Sequence, residues 1–239
     1  MRRIVIASGK GGVGRTTLTA NLGIALAKMG KTTVIVDGSF TTPNLALLFK
    51  LERVVYTLND VLAGEATLAD VMYDGPGGVK IVPAAVTLEQ IRKVRSERLP
   101  EMLRELPKGT DFLLIDAPGG LRRETVSALR SGQELLLVMT PEMTAVSDSL
   151  KTRLIGEFLG IKPIGAVLNR RRKEEFGLTK NEIKTILNLP VLAEIPEDTS
   201  VKKALKQGQP VIELSPKSSA SKAIKALAKK LTRMKAKEG

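Results

Sequence analysis

The sequence contains no cysteine, no histidine and no tryptophan, and only 3% of its residues are aromatic. Without cysteine there can be no disulfide framework, thiolate metal site or cysteine nucleophile, and without histidine the commonest general base is missing. The scarcity of aromatic rings argues against single-strand nucleic-acid binding by base stacking. Long apolar runs are absent too. None approaches the roughly 18–20 residues of a membrane span, and the run at residues 4–7 is too short for the core of a signal peptide before Gly and Lys follow. A soluble, cytoplasmic chain is expected, whose chemistry must come from carboxylates, hydroxyls, Lys, Arg, backbone amides and metal.

In a chain of 239 residues, a hydrophobic content of 43% suffices for one large core, and one domain is expected. The net charge of +13 is unevenly placed. Residues 1–150 carry 18 basic against 16 acidic side chains, whereas residues 151–239 carry 20 against 9. Such asymmetry fits attraction to an anionic surface, nucleic acid or lipid headgroups, and fits equally well a solvated basic face.

Short apolar runs alternate with amphipathic segments from end to end. This pattern predicts an α/β fold with a doubly wound, mostly parallel sheet flanked by helices on both faces. Strands are expected at 3–8, 33–37, 79–82, 112–116, 134–140, 163–169 and 191–194, most of them continuous β-branched or leucine runs suited to burial on both faces. Helices are expected at 15–29, 99–106, 124–131, 144–159, 179–187 and 198–207. Thr179 and Glu182 have the spacing of a capping box, and Gly30 and Gly160 stand where helices should stop. Residues 57–73 read as two short helices broken by Gly64.

The stretch Gly9-Lys10-Gly11-Gly12-Val13-Gly14-Arg15-Thr16-Thr17 follows an expected strand and opens an expected helix. Glycines there expose backbone N–H groups in a concave nest above the positive end of a helix dipole, a cradle for phosphates. Thr16 on the first turn can place its hydroxyl on Mg²⁺. Gly9, Gly11 and Gly14 also spell the dinucleotide fingerprint, with Asp37 near the distance expected of a ribose-binding acid. Arg15 followed by two threonines, the extra cation Lys10 and the strand-ending Asp116 favour a nucleoside triphosphate. No tyrosine is followed four residues later by lysine, as a short-chain dehydrogenase would need.

The loop resembles the deviant Walker A loop of the MinD/ParA family, and the similarity spans nearly the whole chain, most like the archaeal MinD subgroup of cell-division-inhibitor homologues. Asp37-Gly38-Ser39-Phe40-Thr41-Thr42-Pro43-Asn44 is similar to that family's switch I, and residues 116–120 to its Walker B and switch II. Val167-Leu168-Asn169-Arg170 resembles its adenine-binding strand end, while Ile195-Pro196-Glu197-Asp198 and Gly208-x-Pro210-Val211 resemble its C-terminal signature. The resemblance implies a dimer driven by Mg²⁺ and ATP, an ATPase cycle ending in ADP, and an unidentified protein partner. Lys10 would reach across the interface to the partner's nucleotide. Asp37 and Asp116, with Thr16, would hold Mg²⁺ and its waters. Asn169, Arg170 and the segment Pro196, Glu197 and Asp198 would meet the adenine.

Two departures touch the chemistry. The P-loop lysine of the family is Arg15 here, a wide planar fork in place of a compact ammonium. The family's second switch I aspartate is Ser39, which cannot serve as a carboxylate base. Both changes predict retained nucleotide binding with weak or absent hydrolysis. The alternatives left standing are a non-hydrolysing, nucleotide-stabilised scaffold and a DNA-associated partitioning protein.

In the C-terminal stretch 218–239, Ile224, Leu227, Leu231 and Met234 share one helical face beside Ala220 and Ala228, while Lys222, Lys225, Lys229, Lys230, Arg233 and Lys237 occupy the rest. The reading favours a helix packed on the sheet with its basic side solvated. Peripheral membrane contact, as in relatives of the resembled family, is the alternative. The cation run at 170–173 offers a DNA contact, or a solvated loop partly neutralised by Glu174 and Glu175.

Overall fold

The computed structural model describes residues 1–40, 42–51, 53–85, 94–120, 122–172 and 177–234. The expected positions Thr41, Lys173, Glu174, Glu175 and residues 235–239, Lys237 included, lie outside them.

Among the described residues eight strands form one sheet: β1 (Arg2–Ala7), β2 (Thr33–Asp37), β3 (Tyr73–Asp74), β4 (Lys80–Val82), β5 (Phe112–Asp116), β6 (Glu134–Met139), β7 (Lys162–Arg171) and β8 (Val191–Pro196). Their spatial order is β3-β4-β2-β5-β1-β6-β7-β8. Every pairing is parallel except β3 with β4. Alternation along β1 shows why the central strands are apolar throughout. Ile4 and Ile6 enter one core with the helix α1 (Arg15–Ala27), while Val5 and Ala7 enter the other, and all four are fully buried. The chain leaves β1 toward one side of the sheet and later leaves β5 toward the other, so β1 sits at a switch point whose crevice opens beyond the carboxyl ends of the strands.

Further helices are α2 (Leu45–Leu48), α3 (Leu58–Ala63), α4 (Leu99–Met102), α5 (Arg123–Arg130), α6 (Met143–Phe158), α7 (Lys180–Leu187), α8 (Thr199–Lys206), α9 (Val211–Leu214) and α10 (Ser219–Arg233). The capping box at the start of α7 forms as its spacing predicts: Glu182 N donates to Thr179 Oγ1 at 3.3 Å and Thr179 N to Glu182 Oε2 at 2.7 Å.

Two local expectations need correction. Of the two helices expected across 57–73, only α3 forms, ended by Gly64 in the left-handed region (φ 83°). Beyond it the chain makes a single 3₁₀ turn, Ala69–Val71, and then the antiparallel edge strand β3. The helix expected over 99–106 is α only as far as Met102 and tightens to a 3₁₀ turn over Leu103–Glu105. The short helices α2 and α9 went unexpected, since four residues span barely one turn and show no period.

The C-terminal helix α10 lies against α1 and β8. Ala220, Ile224, Leu227, Ala228 and Leu231 are all at most 2% exposed, and Lys222, Lys225, Lys229, Lys230 and Arg233 face solvent. Its apolar face therefore belongs to the core. Arg2 ties down the far end by donating to the carbonyl of Leu231 while pairing with Glu134.

Candidate nucleotide and metal site

The glycine-rich loop joins β1 to α1. Gly14 precedes the helix in the left-handed conformation (φ 87°), and no side chain caps the first turn. The free N–H groups of that turn and the positive dipole end therefore point outward, an arrangement suited to an anion. A Cβ at Gly14 would lie 2.3 Å from Asn169 Nδ2, so only glycine fits; that same amide donates to Val13 O at 2.8 Å and pins the loop to the end of β7. Gly9 is needed for a different reason, since a Cβ there would come within 2.1 Å of the carbonyl carbon of Asp148 in α6.

Two cavities open around this loop. One, of about 580 Å³, is walled by Gly11, Gly12, Gly14, Arg15, Thr16 and Thr17, by Ser39 and Asn44 after β2, and by Pro118, Gly119 and Arg122 after β5. The other, of about 450 Å³, is walled by Gly14, Thr17, Asn169, Arg170, Pro196, Glu197 and Asp198, with Val201, Leu205 and Ile224 as apolar lining. Gly14, Thr17, Arg170 and Leu205 border both. The volumes fall in the range of small-molecule pockets, and the polar, loop-walled cavity meets the partly apolar one at the helix start.

Asp37 and Asp116 end neighbouring strands in direct register, and both are buried. Asp116 accepts three side-chain hydrogen bonds. Its Oδ1 accepts from Arg15 Nε (3.0 Å) and Thr19 Oγ1 (3.2 Å), and its Oδ2 accepts from Thr16 Oγ1 (2.6 Å). Burial raises its carboxyl above the ordinary range despite the opposing Arg15 charge and these hydrogen bonds. Asp37 accepts backbone N–H bonds from Ser39 (3.0 Å), Asn44 (3.2 Å) and Leu45 (3.0 Å). Burial first, and the Asp116 charge second, push it up to about 7.

These donors fit Mg²⁺. Hydroxyl and carboxylate oxygens are the hard ligands it takes, and the carboxylates' raised pKa values show that a cation beside them is electrostatically wanted. Among the described residues no cluster of three or more acidic side chains could cage an ion without help. The fit is therefore to a Mg²⁺ shared with phosphates rather than to a resident metal.

Arg15 is held low in its cavity. Besides Asp116, its Nη1 donates to Ser8 Oγ at 2.8 Å, and the side chain is 11% exposed. Lys10, by contrast, walls neither cavity. Half-exposed at the rim, its Nζ pairs with Glu142 at 3.2 Å. Val13 is buried in the core, so its carbonyl, not its side chain, serves the site. Glu197 pairs with Arg172 and Lys202, contacts that hold its carboxyl below the usual range. Burial alone would raise Asp198, but bonds from Ala220 N (3.0 Å), Ser219 Oγ (2.7 Å) and Ser200 N (2.8 Å) outweigh it and hold the carboxyl far below the usual range.

Sequence reasoning missed four supporting residues. Ser8 orients Arg15, Thr19 braces Asp116, and Glu142 holds Lys10. Asn21 is buried; it donates to Thr17 O (2.7 Å) and accepts from Ile212 N (2.9 Å), linking the loop's helix to α9. Thr19 and Asn21 lie four residues beyond Arg15 and Thr17, a helical spacing that could have revealed them.

Residues 4–211 match the model of the CobQ/CobB/MinD/ParA nucleotide binding domain. An uncharacterised ATP-binding protein of Methanocaldococcus jannaschii is 44% identical over 228 residues, which cover 95% of this chain and 86% of that protein. The structure is similar to that of the Pyrococcus furiosus cell division ATPase MinD, with TM-score 0.93, 37% identity and coverage of 97% and 98% of the two chains. It is equally similar to the septum site-determining protein MinD of Pyrococcus horikoshii OT3 complexed with Mg-ADP, with TM-score 0.93, 38% identity and 99% of each chain covered.

Proposed function

We propose that this chain, which belongs to the CobQ/CobB/MinD/ParA nucleotide-binding domain family, is a MinD-type switch that binds ATP or ADP with Mg²⁺ and hydrolyses ATP weakly or not at all. The observation that carries this reading is the pair of cavities joined at Gly14 over an uncapped helix start. The loop amides of Gly11–Thr17 hold the phosphates, and Asn169, Arg170 and Pro196–Asp198 border the base. The Mg-ADP bound by the Pyrococcus horikoshii relative supports the choice of ligand. Mg²⁺ supplies charge neutralisation between phosphate oxygens; on this chain Thr16, Asp37 and Asp116 would hold it and its waters.

Weak hydrolysis follows from the residues at hand. Ser39 offers no carboxylate to position or deprotonate water, and Arg15, tied to Asp116 and Ser8, places a wide guanidinium where a compact ammonium would sit between phosphates. Loss of one positioning or electrostatic group costs roughly 10²- to 10³-fold in rate. Nucleotide-dependent dimerisation, with Lys10 released from Glu142 to reach the partner's nucleotide, is part of the proposal. So are a role in cell division or intracellular positioning, an unidentified protein partner and residence in the cytoplasm. No helix among the described residues is long and apolar enough to cross a membrane. Because the apolar face of α10 is consumed by packing, contact with an anionic surface, DNA or lipid headgroups, would use its exposed lysines instead.

Phosphate release from ATP by the wild type and by the double variant Arg15→Lys, Ser39→Asp tests the central claim. The variant is expected to turn over at least about tenfold faster. Equal rates would overturn the assignment of these two residues.

A further inference from the structure

Asp37 and Asp116, adjacent in register and buried, lie behind residues that wall the phosphate cavity, and a polyphosphate there adds negative charge close to them in a region poor in water. P-loop sites meet this repulsion with a divalent cation that arrives with the nucleotide. Here the protein supplies one cation of its own. Arg15 lies on Asp116 through Nε at 3.0 Å, is steadied by Ser8 at 2.8 Å, and forms part of the wall of the phosphate cavity.

We propose that Arg15 is a built-in counter-cation that lets this site bind a nucleoside di- or triphosphate with little dependence on a divalent metal. The inference rests on the nucleotide reading above. A guanidinium has five N–H donors, and its bonds to Asp116 and Ser8 use two of them. Its planar fork can hold a carboxylate on one edge and offer another to phosphate, whereas a lysine ammonium is a compact point charge that serves one centre at a time. Asp116 already has a cation beside it, since its Oδ1 accepts from Arg15 while Thr16 and Thr19 supply its other bonds. Thr16 keeps its oxygen lone pairs free while it donates to Asp116 at 2.6 Å, so an ion can still enter, but it joins a carboxylate already paired with a guanidinium. The cavity keeps about 580 Å³ with Arg15 in its wall, so the fork lines the site rather than filling it.

Calorimetric titration of the full chain with ADP, in Mg²⁺ and again with the metal chelated, tests this in the wild type and in Arg15→Lys. The wild type is expected to lose less than about threefold in affinity on chelation, and Arg15→Lys at least about tenfold. Ser8→Ala, which removes the hydroxyl that orients the fork together with its 2.9 Å bond to the Lys10 carbonyl, should fall between them and stands in if the lysine variant does not fold. A loss of tenfold or more by the wild type, or the same small loss in every variant, overturns the role of Arg15 and leaves nucleotide binding intact. Absence of ADP binding with Mg²⁺ present overturns the nucleotide reading and this inference together.

Discussion

Asp37 and Asp116 on one side of the crevice, and Asp198 on the other, all follow the carboxyl ends of parallel strands, yet their surroundings drive their carboxyls in opposite directions. Burial raises the first two, with the Asp116 charge adding to it at Asp37, and backbone and hydroxyl donors depress the third. Asp198 caps α8 and holds the first turn of α10 to it, so its charge is spent on the scaffold. The carboxylates under the phosphate loop are held in a state that a bound cation would relieve. One half of the cleft thus has its carboxylate fixed in the charged form by its bonds, and the other has two carboxyls whose charge burial disfavours.

The severest way to break that contrast is to remove the support of the fixed half. A chain ended at Ser218 loses the burial of Ile224, Leu227 and Leu231, roughly 2 kcal/mol each, and exposes the face of α1 beneath them. That loss is comparable to the whole stability of a typical domain, about 5–15 kcal/mol. The truncated chain should fail to show a cooperative thermal transition by circular dichroism, whereas replacing the exposed Lys222, Lys225 and Lys229 by Glu should leave the transition in place. A truncated chain that melts cooperatively near the wild-type temperature would show that α10 is dispensable.

Acid separates the two halves without mutation. In the metal-free protein Asp37 keeps its proton up to about 7, against about 3.9 for an unfolded aspartate. The folded state therefore binds more protons between those values, so this contribution to stability is complete below pH ~4 and lost as pH rises through 7. Asp198 works in reverse: its contribution is complete above pH ~4 and lost as pH falls toward its depressed folded value. Melting temperature measured against pH should rise from pH 8 to about 5 and fall below about 4. Asp37→Asn should shrink the upper limb to the share that comes from Asp116 and leave the lower limb as it is. An upper limb unchanged in that variant would refute the assignment.

A narrower cut is Asp198→Ala, which removes a helix cap and two bonds to α10 and should cost about 2 kcal/mol by chemical denaturation. It also leaves the phosphate cavity untouched, so affinity for inorganic pyrophosphate should hold. A parallel loss of both would mean that the halves of the cleft are coupled.

The ease with which each part could be read from sequence follows the same division. Strands 33–37 and 112–116 coincide with β2 and β5 because a doubly buried strand is a continuous apolar run bounded by polar residues. The glycine loop, Thr16 and the two strand-ending aspartates were legible because residue type and position after a strand define their chemistry. The two-residue β3 carries no alternation to detect, and it forms because Tyr73 and Asp74 meet Ile81 and Lys80. The environment of Arg15 was illegible for a different reason. Its nature as a departure from lysine could be read directly, but its commitment to Asp116, 101 positions away, depends on how helix and sheet are docked.

The smallest effect concerns Lys10 and Glu142, whose contact spans 132 positions and has no local signal at all. Their side chains are 48% and 57% exposed, so the pair is screened and the entropy of holding two long chains offsets most of its attraction. Glu142→Gln should therefore shift stability by less than about 0.5 kcal/mol. Were Lys10 only a solvated surface cation, nothing else would change. If it must leave Glu142 to meet a nucleotide on a second copy, the variant should self-associate more readily in ATP and Mg²⁺ than the wild type, while behaving identically without nucleotide. Sedimentation velocity of the two proteins in both conditions decides the matter, and identical profiles throughout would assign Lys10 to the surface rather than to the shared site.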